Sequence, residues 1–226
     1  MFTANLGCML AKRGHKVCLV DMDLGMRNLD LYLGLEDKVV YDVMDVLQGV
    51  CRIKQALIKD KSFPGLYFMA ASPKPEDGEI TPLHMKVLVE KLSSFFDYVL
   101  IDCPAGLDDG LVVSTCGSDC MILMLTSDYA SLRDSEIIYS NLERLGVKDV
   151  RFVINKVDPE LVNSGLELGA KDYPEIVKKN AIGIIRDDKN IRISTNVGMP
   201  IVYKEDTYIF ENFKNIAVRI ETMFRD

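Results

Sequence analysis

Along the chain, hydrophobic residues spaced three or four apart give way repeatedly to short unbroken apolar runs, the pattern of helices alternating with buried strands. Residues 4–13 read as a helix closed by Gly14, and residues 16–20 come next as an apolar strand. Residues 41–47 predict a short amphipathic helix ended by Gly49, and residues 66–70 a second strand. Thr81-Pro82 marks a helix start: the threonine can accept from a free backbone amide, and the fixed φ of proline suits the first turn. The helix it opens, residues 83–95, carries Leu88, Leu92 and Phe95/Phe96 at helical spacing. Residues 98–101 form a third strand ending on Asp102, and residues 120–125 a fourth. A helix over 131–145 is closed by Gly146, and strands over 150–154 and 181–185 complete the series. Several strands are apolar on both faces, as a parallel sheet covered by helices on each side requires. The expected fold is α/β, a doubly wound and mostly parallel sheet. No repeat, low-complexity tract or Pro/Gly-rich linker divides residues 1–226, so a single domain is expected.

Composition narrows the choice of chemistry. With 226 residues, 48% of them hydrophobic, the chain can bury a sizeable core. Lys plus Arg is 27 against Asp plus Glu 34, a net charge of −7, which argues against broad binding to nucleic acid, where many phosphates must be neutralised. The six cysteines (Cys8, Cys18, Cys51, Cys103, Cys116, Cys120) lie scattered in apolar stretches with no CxxC pair, and there are two histidines. That usage predicts reduced, buried thiols of a cytosolic protein rather than a zinc site. The longest apolar run, residues 120–125, falls far short of the roughly 20 residues a membrane span needs.

In a doubly wound sheet, ligands bind beyond the carboxyl ends of the strands. Three strand ends carry candidate chemistry. In Cys18-Leu19-Val20-Asp21-Met22-Asp23 two carboxylates alternate and so point the same way. Such a pair can hold Mg2+ through water or position a water beside a phosphate, but DxD is short and common, and spacing alone favours acids that solvate the strand end and cap the next segment. Val99-Leu100-Ile101-Asp102-Cys103-Pro104-Ala105-Gly106 has the Walker-B arrangement, an apolar strand presenting an acid toward Mg2+. Ala105-Gly106 would let backbone amides approach a γ-phosphate. In Phe152-Val153-Ile154-Asn155-Lys156-Val157 the Asn155 amide matches the donor and acceptor edge of adenine, or forms a turn.

Taken together these strand ends resemble the MinD branch of the deviant Walker-A (MinD/ParA) ATPases, cell-division-site nucleotide switches with a P-loop NTPase-like fold. The stretch from Val20 to Asp30, with its Arg27-Asn28-Leu29-Asp30 run, is similar to the family's switch I. Val40-Tyr41-Asp42-Val43, the run from Lys54 to Asp60, Arg133-Asp134 and Ser194-Thr195-Asn196 extend the likeness over nearly the whole chain. The resemblance implies an ATPase that binds ATP and Mg2+ and dimerises on the nucleotide to help place the septum. It implies that Asp23 places the attacking water and that Asp102 acts on Mg2+ through a water, with Pro104, Ala105 and Gly106 as switch II. Asn155 would read adenine with the backbone of Ile185, Arg186 and Asp187. Arg27 and Asn28 would face the partner subunit of a self-dimer. Arg133 and Asp134 would face regulators of the MinC and MinE type. Such proteins are cytoplasmic and gather at the inner face of the cell membrane.

The chain departs from that pattern in three places. Before the helix at Ala4 the family carries a strand and a KGGxGKTT loop, whereas this chain reads Met1-Phe2-Thr3-Ala4-Asn5 and contains no GK[ST]. The first, central strand and the Walker A loop are therefore expected to be absent from this chain, and ATP and Mg2+ binding to depend on residues upstream in the native protein. The alternative is a non-catalytic module that contacts division regulators without hydrolysis. After Ile185 the family commonly has Pro-Glu-Asp, and this chain has Arg186-Asp187-Asp188. The last helix carries Ile209, Phe210, Phe213, Ile216, Ala217, Ile220, Met223 and Phe224 on one stripe, with Glu211, Lys214, Arg219 and Glu221 mixed opposite. That pattern predicts a helix packed on the domain rather than a basic membrane-surface helix.

Overall fold

In the computed structural model the structure is described for residues 1–74, 79–104, 109–147 and 149–224. These divide into two compact units, residues 1–117 with 190–203, and residues 118–189 with 204–226.

The first unit runs α1 (Phe2–Lys12), β1 (Val17–Asp21), α2 (Leu29–Leu33), α3 (Val43–Leu47), α4 (Ile53–Ala56), β2 (Ile58–Lys59), β3 (Leu66–Met69), α5 (Pro82–Ser93), β4 (Tyr98–Asp102) and α6 (Asp109–Thr115). Its sheet has the order β2-β3-β1-β4, parallel except for β2, which runs antiparallel to β3. β1 is buried along its whole length, as its unbroken apolar run predicts. α1 lies close against it: a Cβ on Gly7 would stand 2.4 Å from Leu19 Cδ2, so glycine sets that spacing. On α5, Met85, Leu88, Val89 and Leu92 are buried against Cys18, Val20 and Met69 of the strands. Two helices carry side-chain caps at their starts, the second of them the one its Thr-Pro pair predicts. Asp42 and Asp45 form a reciprocal box at α3, and Thr81 Oγ1 accepts from the His84 amide at 3.3 Å at the start of α5.

The second unit runs β5 (Met121–Thr126), α7 (Tyr129–Arg144), β6 (Val150–Val157), α8 (Pro159–Asn163), α9 (Glu175–Asn180) and β7 (Ala181–Arg186), in a parallel sheet of order β5-β6-β7. The chain then forms α10 (Lys189–Asn196), most of which belongs to the first unit, and returns to the second as α11 (Tyr208–Met223). The stripe on α11 packs as its spacing predicts, with Ile209, Phe213, Ile216, Ala217 and Ile220 buried. Among the described residues, no helix is long and apolar enough to cross a membrane.

Two details differ from the sequence reading. The residues of β4, and most of β5, are half-buried rather than fully enclosed, because each is the terminal strand of its sheet. Cys8, Cys18 and Cys51 are buried, but Cys103, Cys116 and Cys120 are partly accessible; all six are free thiols.

Candidate functional site

In the first unit the candidate carboxylates meet at one end of the sheet. Asp21 ends β1, Asp102 ends β4, and the two are paired in register, so both chains leave the sheet side by side. The Met22 amide donates to the Asp102 carbonyl at 3.0 Å and keeps the exits together. Asp21 is almost fully buried and turned inward: its Oδ1 accepts from the Asp23 amide at 3.0 Å and its Oδ2 from the Leu29 amide at 3.2 Å. It therefore shapes the loop after β1, in which Asp23 is half-buried. α1 contributes a hydroxyl, since Thr3 Oγ1 donates to Asp102 Oδ1.

These acids act on one another. Burial pushes the Asp21 carboxyl up to about 6; the two amide bonds pull it down, and the charges of Asp102 and Asp23 add to the rise. Asp23 is raised for the same reasons, burial first and then Asp102. Carboxylates whose charged form is disfavoured by burial and by a neighbouring charge, as at Asp21 and Asp23, are stabilised as anions by a cation placed beside them. Among the described residues there is no cluster of three or more His, Cys, Asp or Glu able to chelate a metal directly. Asp23, Asp102 and the Thr3 hydroxyl are hard oxygen donors of the kind Mg2+ takes, an ion that keeps several of its waters and uses one or two carboxylates. Cys103, next to Asp102, is no nucleophile at neutral pH, because burial and then the Asp102 charge push its thiol up to about 11.

Other sequence-predicted residues lie around this end of the unit. Pro104 is half-buried after β4, and Ala105 and Gly106 lie outside the described residues. Arg27 has a left-handed backbone (φ 38°), and its Nε pairs with Asp30 Oδ2 at 2.8 Å, a nearly fully buried carboxylate. Its guanidinium is therefore held along its own loop. Asn28 precedes α2 and makes no side-chain cap there.

In the second unit, Asn155 sits half-buried in β6 opposite Thr126, and among the described residues its side-chain amide makes no hydrogen bond. The Asp187 amide donates to the Val157 carbonyl at 2.9 Å, which draws the turn after β7 to the same end of the sheet. Ile185 is fully buried and offers a ligand only its backbone, while Arg186 and Asp187 are exposed. A side-chain amide carries both a donor and an acceptor, the complement of one edge of a planar base. Arg133 and Asp134 are exposed on α7, whose start is capped by Asp128 accepting from the Ser131 amide at 2.8 Å. Arg133, Glu136, Ile137, Ser140, Asn141 and Arg144 outline a shallow depression on that helix.

The sequence reading missed Thr3, whose partner lies 99 residues away, and the contacts that hold residues 186–188. A hydroxyl in the first turn of a helix leading into β1 was the available signal for the first.

Acids at the ends of parallel strands, beside the start of a helix, define a P-loop NTPase-like nucleotide-binding domain. The model of the CobQ/CobB/MinD/ParA nucleotide binding domain matches residues 1–201. The septum site-determining protein MinD of Synechocystis sp. is 39% identical over 220 residues, covering 97% of this chain and 83% of that protein. That of Thermotoga maritima is 36% identical over 220 residues, covering 96% and 81%. Among solved structures, the MinC:MinD cell division complex of Aquifex aeolicus superposes with a TM-score of 0.90 at 33% identity, over 98% of this chain and 89% of that one. MinD complexed with Mg-ADP from Pyrococcus horikoshii gives 0.86 at 26%, over 98% and 90%. The chain belongs to the MinD/ParA family and, within it, to the septum site-determining MinD proteins.

Proposed function

We propose that the protein is an ATP-dependent switch in septum placement, dimerising on Mg-ATP and hydrolysing it. The observation that carries this is the convergence of Asp21, Asp23, Asp102 and Thr3 at one sheet end, where burial first and then neighbouring charge raise Asp21 and Asp23. Mg2+, when bound, neutralises charge that develops on phosphate oxygens. Asp102 would hold that ion through a water, with its carboxylate already oriented by the Thr3 hydroxyl. Asp23 would orient the attacking water, and Asp21 would keep Asp23 in place by gripping both ends of the loop. In the second unit Asn155 and the backbone of residues 185–187 would read the adenine. Arg27 and Asn28 would lie on the face that meets a second copy, and the outer face of α7, with Arg133 and Asp134, would receive regulators. The solved MinC:MinD complex supports a MinC-type protein as one of them; a MinE-type regulator and recruitment to the inner face of the membrane would complete the cycle.

This chain holds no GK[ST] loop, so the test uses the protein isolated from its own cells, with its intact mass compared with 25.4 kDa. Asp102→Asn keeps the shape of the side chain and removes its charge. We expect it to lower Mg-dependent ATP turnover about 10- to 100-fold, as for other groups that act on a metal through water. ATP-dependent dimers measured by light scattering should persist. Unchanged turnover would remove Asp102 from the site, and a native protein that neither binds nor hydrolyses ATP would overturn the reading.

A further inference from the structure

The turn after β7 is exposed, yet it is held from two sides. Arg186 and Asp187 face solvent. The Arg186 guanidinium carbon lies 4.8 Å from the centroid of the Tyr208 ring, stacked over its face. The Tyr208 hydroxyl donates to the Asp188 carboxylate. One helical turn further along α11, Asn212 Oδ1 accepts from the Arg186 amide at 3.3 Å. On the other side the Asp187 amide reaches the Val157 carbonyl at 2.9 Å, two residues past Asn155. Three consecutive residues are thus fixed between the start of α11 and the end of β6. The start of α11 is itself fixed, since Thr207 Oγ1 accepts from the Phe210 amide at 3.1 Å and Ile209 is buried. The hydroxyl is dependable as a donor: its bond to Asp188 raises the Tyr208 pKa, with burial adding less, so it stays protonated at neutral pH.

None of these contacts is needed to build the core. Tyr208 is 46% exposed, and Arg186 could extend into water at little loss. What the contacts do is restrain backbone. A proline at position 186 would fix φ by its ring. Arginine has no such constraint, and here the stack on Tyr208 supplies it from outside the turn.

We propose that Tyr208 is a positioning residue for base recognition: through its ring and its hydroxyl it presets the backbone of Arg186 to Asp188 beside Asn155, so that a purine edge meets an ordered surface. The proposal rests on the nucleotide-binding reading and deepens it. Its effect is pre-organisation, since a turn already ordered need not be ordered again on binding. It therefore acts on the base and leaves the phosphate end alone.

The test uses the native protein and two probes, Mg-ATP and inorganic Mg-tripolyphosphate, which has no base. Tyr208→Ala removes stack and bond, and Tyr208→Phe keeps the stack and removes the bond. In Tyr208→Ala we expect ATP affinity, measured by calorimetry, to fall about 5- to 20-fold, the scale of ordering a few turn residues on binding. Tripolyphosphate affinity should stay unchanged, and Tyr208→Phe should fall between the alanine variant and the parent on ATP. Wild-type ATP affinity in Tyr208→Ala would overturn the proposal. So would an equal loss on both probes, which would mean that Tyr208 supports the fold in general. An unmodified protein that binds tripolyphosphate but gains nothing from the base would overturn it too, while leaving a phosphate site standing. Binding of neither probe by the unmodified protein would end the nucleotide reading, and this proposal with it.

Discussion

Gly183 sits in the middle of β7, paired with Val153 of β6, and the residue above it on α11 is Ile216, which is fully buried. A Cβ built on Gly183 would stand 2.2 Å from Ile216 Cγ1 and 2.8 Å from its Cδ1. Carbon atoms rest at about 3.5–4.0 Å, so the shortfall exceeds about 1 Å. A rotamer change at Ile216 cannot supply that distance, because its β-branched χ1 has one strongly preferred well in a helix. Helix and strand must part. Overpacking of this kind costs about 1–3 kcal/mol, and replacing a strand glycine returns about 0.5–1 kcal/mol of backbone entropy. Gly183→Ala should therefore lose about 1–2 kcal/mol net. Ile216→Ala alone should lose about 2–5 kcal/mol through lost burial and a cavity. In the double variant the new methyl occupies part of the emptied space, so the combined loss should fall short of the sum by about 1 kcal/mol or more. Urea unfolding followed by the ellipticity of the helices measures all four species. Additive losses, or a Gly183→Ala protein as stable as the parent, would refute the claim that Gly183 sets the seat of α11. The first half of that helix also carries Tyr208 and Asn212, so a displaced seat should weaken base-dependent ATP binding in Gly183→Ala as well.

Buried groups elsewhere give further expected outcomes. The Tyr173 hydroxyl is buried with no hydrogen-bond partner among the described residues, so Tyr173→Phe should raise stability by about 1 kcal/mol at neutral pH, read as a higher urea midpoint. Burial first, and then Glu167, Asp128 and Asp172, push that phenol up to about 12. Its folded pKa thus lies above the unfolded value near 10, and its share of stability should be lost as pH rises from about 10 to 12, a slope the phenylalanine variant should lack. Gly34 and Gly198 are both left-handed and stand back to back: a Cβ on Gly34 would meet the Gly198 carbonyl oxygen at 2.6 Å. Gly34→Ala should lose about 1–2 kcal/mol from its backbone conformation alone, with the clash added, and an unshifted thermal midpoint would contradict this.

Much of this was legible in the chain because it is local. The apolar runs that became β1, β3, β6 and β7, the threonine-proline start of α5 and the stripe of α11 each depend on neighbours a few residues away. Asp23, Asp102 and Asn155 could be chosen because an acid or amide at a strand end faces the ligand side of such a sheet. What escaped was set by distance. β2, α8 and α9 are short elements with too few residues to display a period. The grip of Tyr208 on Asp188 joins residues 20 apart, and nothing in either segment announces the other.

Asp21 uses one carboxylate to close a ring of backbone, with one oxygen on the amide of Asp23 and the other on that of Leu29. A single side-chain rotation would free both ends at once. Those two amides should therefore exchange their hydrogens with solvent at one shared rate. The Gly25 amide on the Ser72 carbonyl at 2.9 Å is a further hold on the loop bearing Asp23, Arg27 and Asn28, so displacing the Asp21 carboxylate releases its two ends while its middle stays pinned.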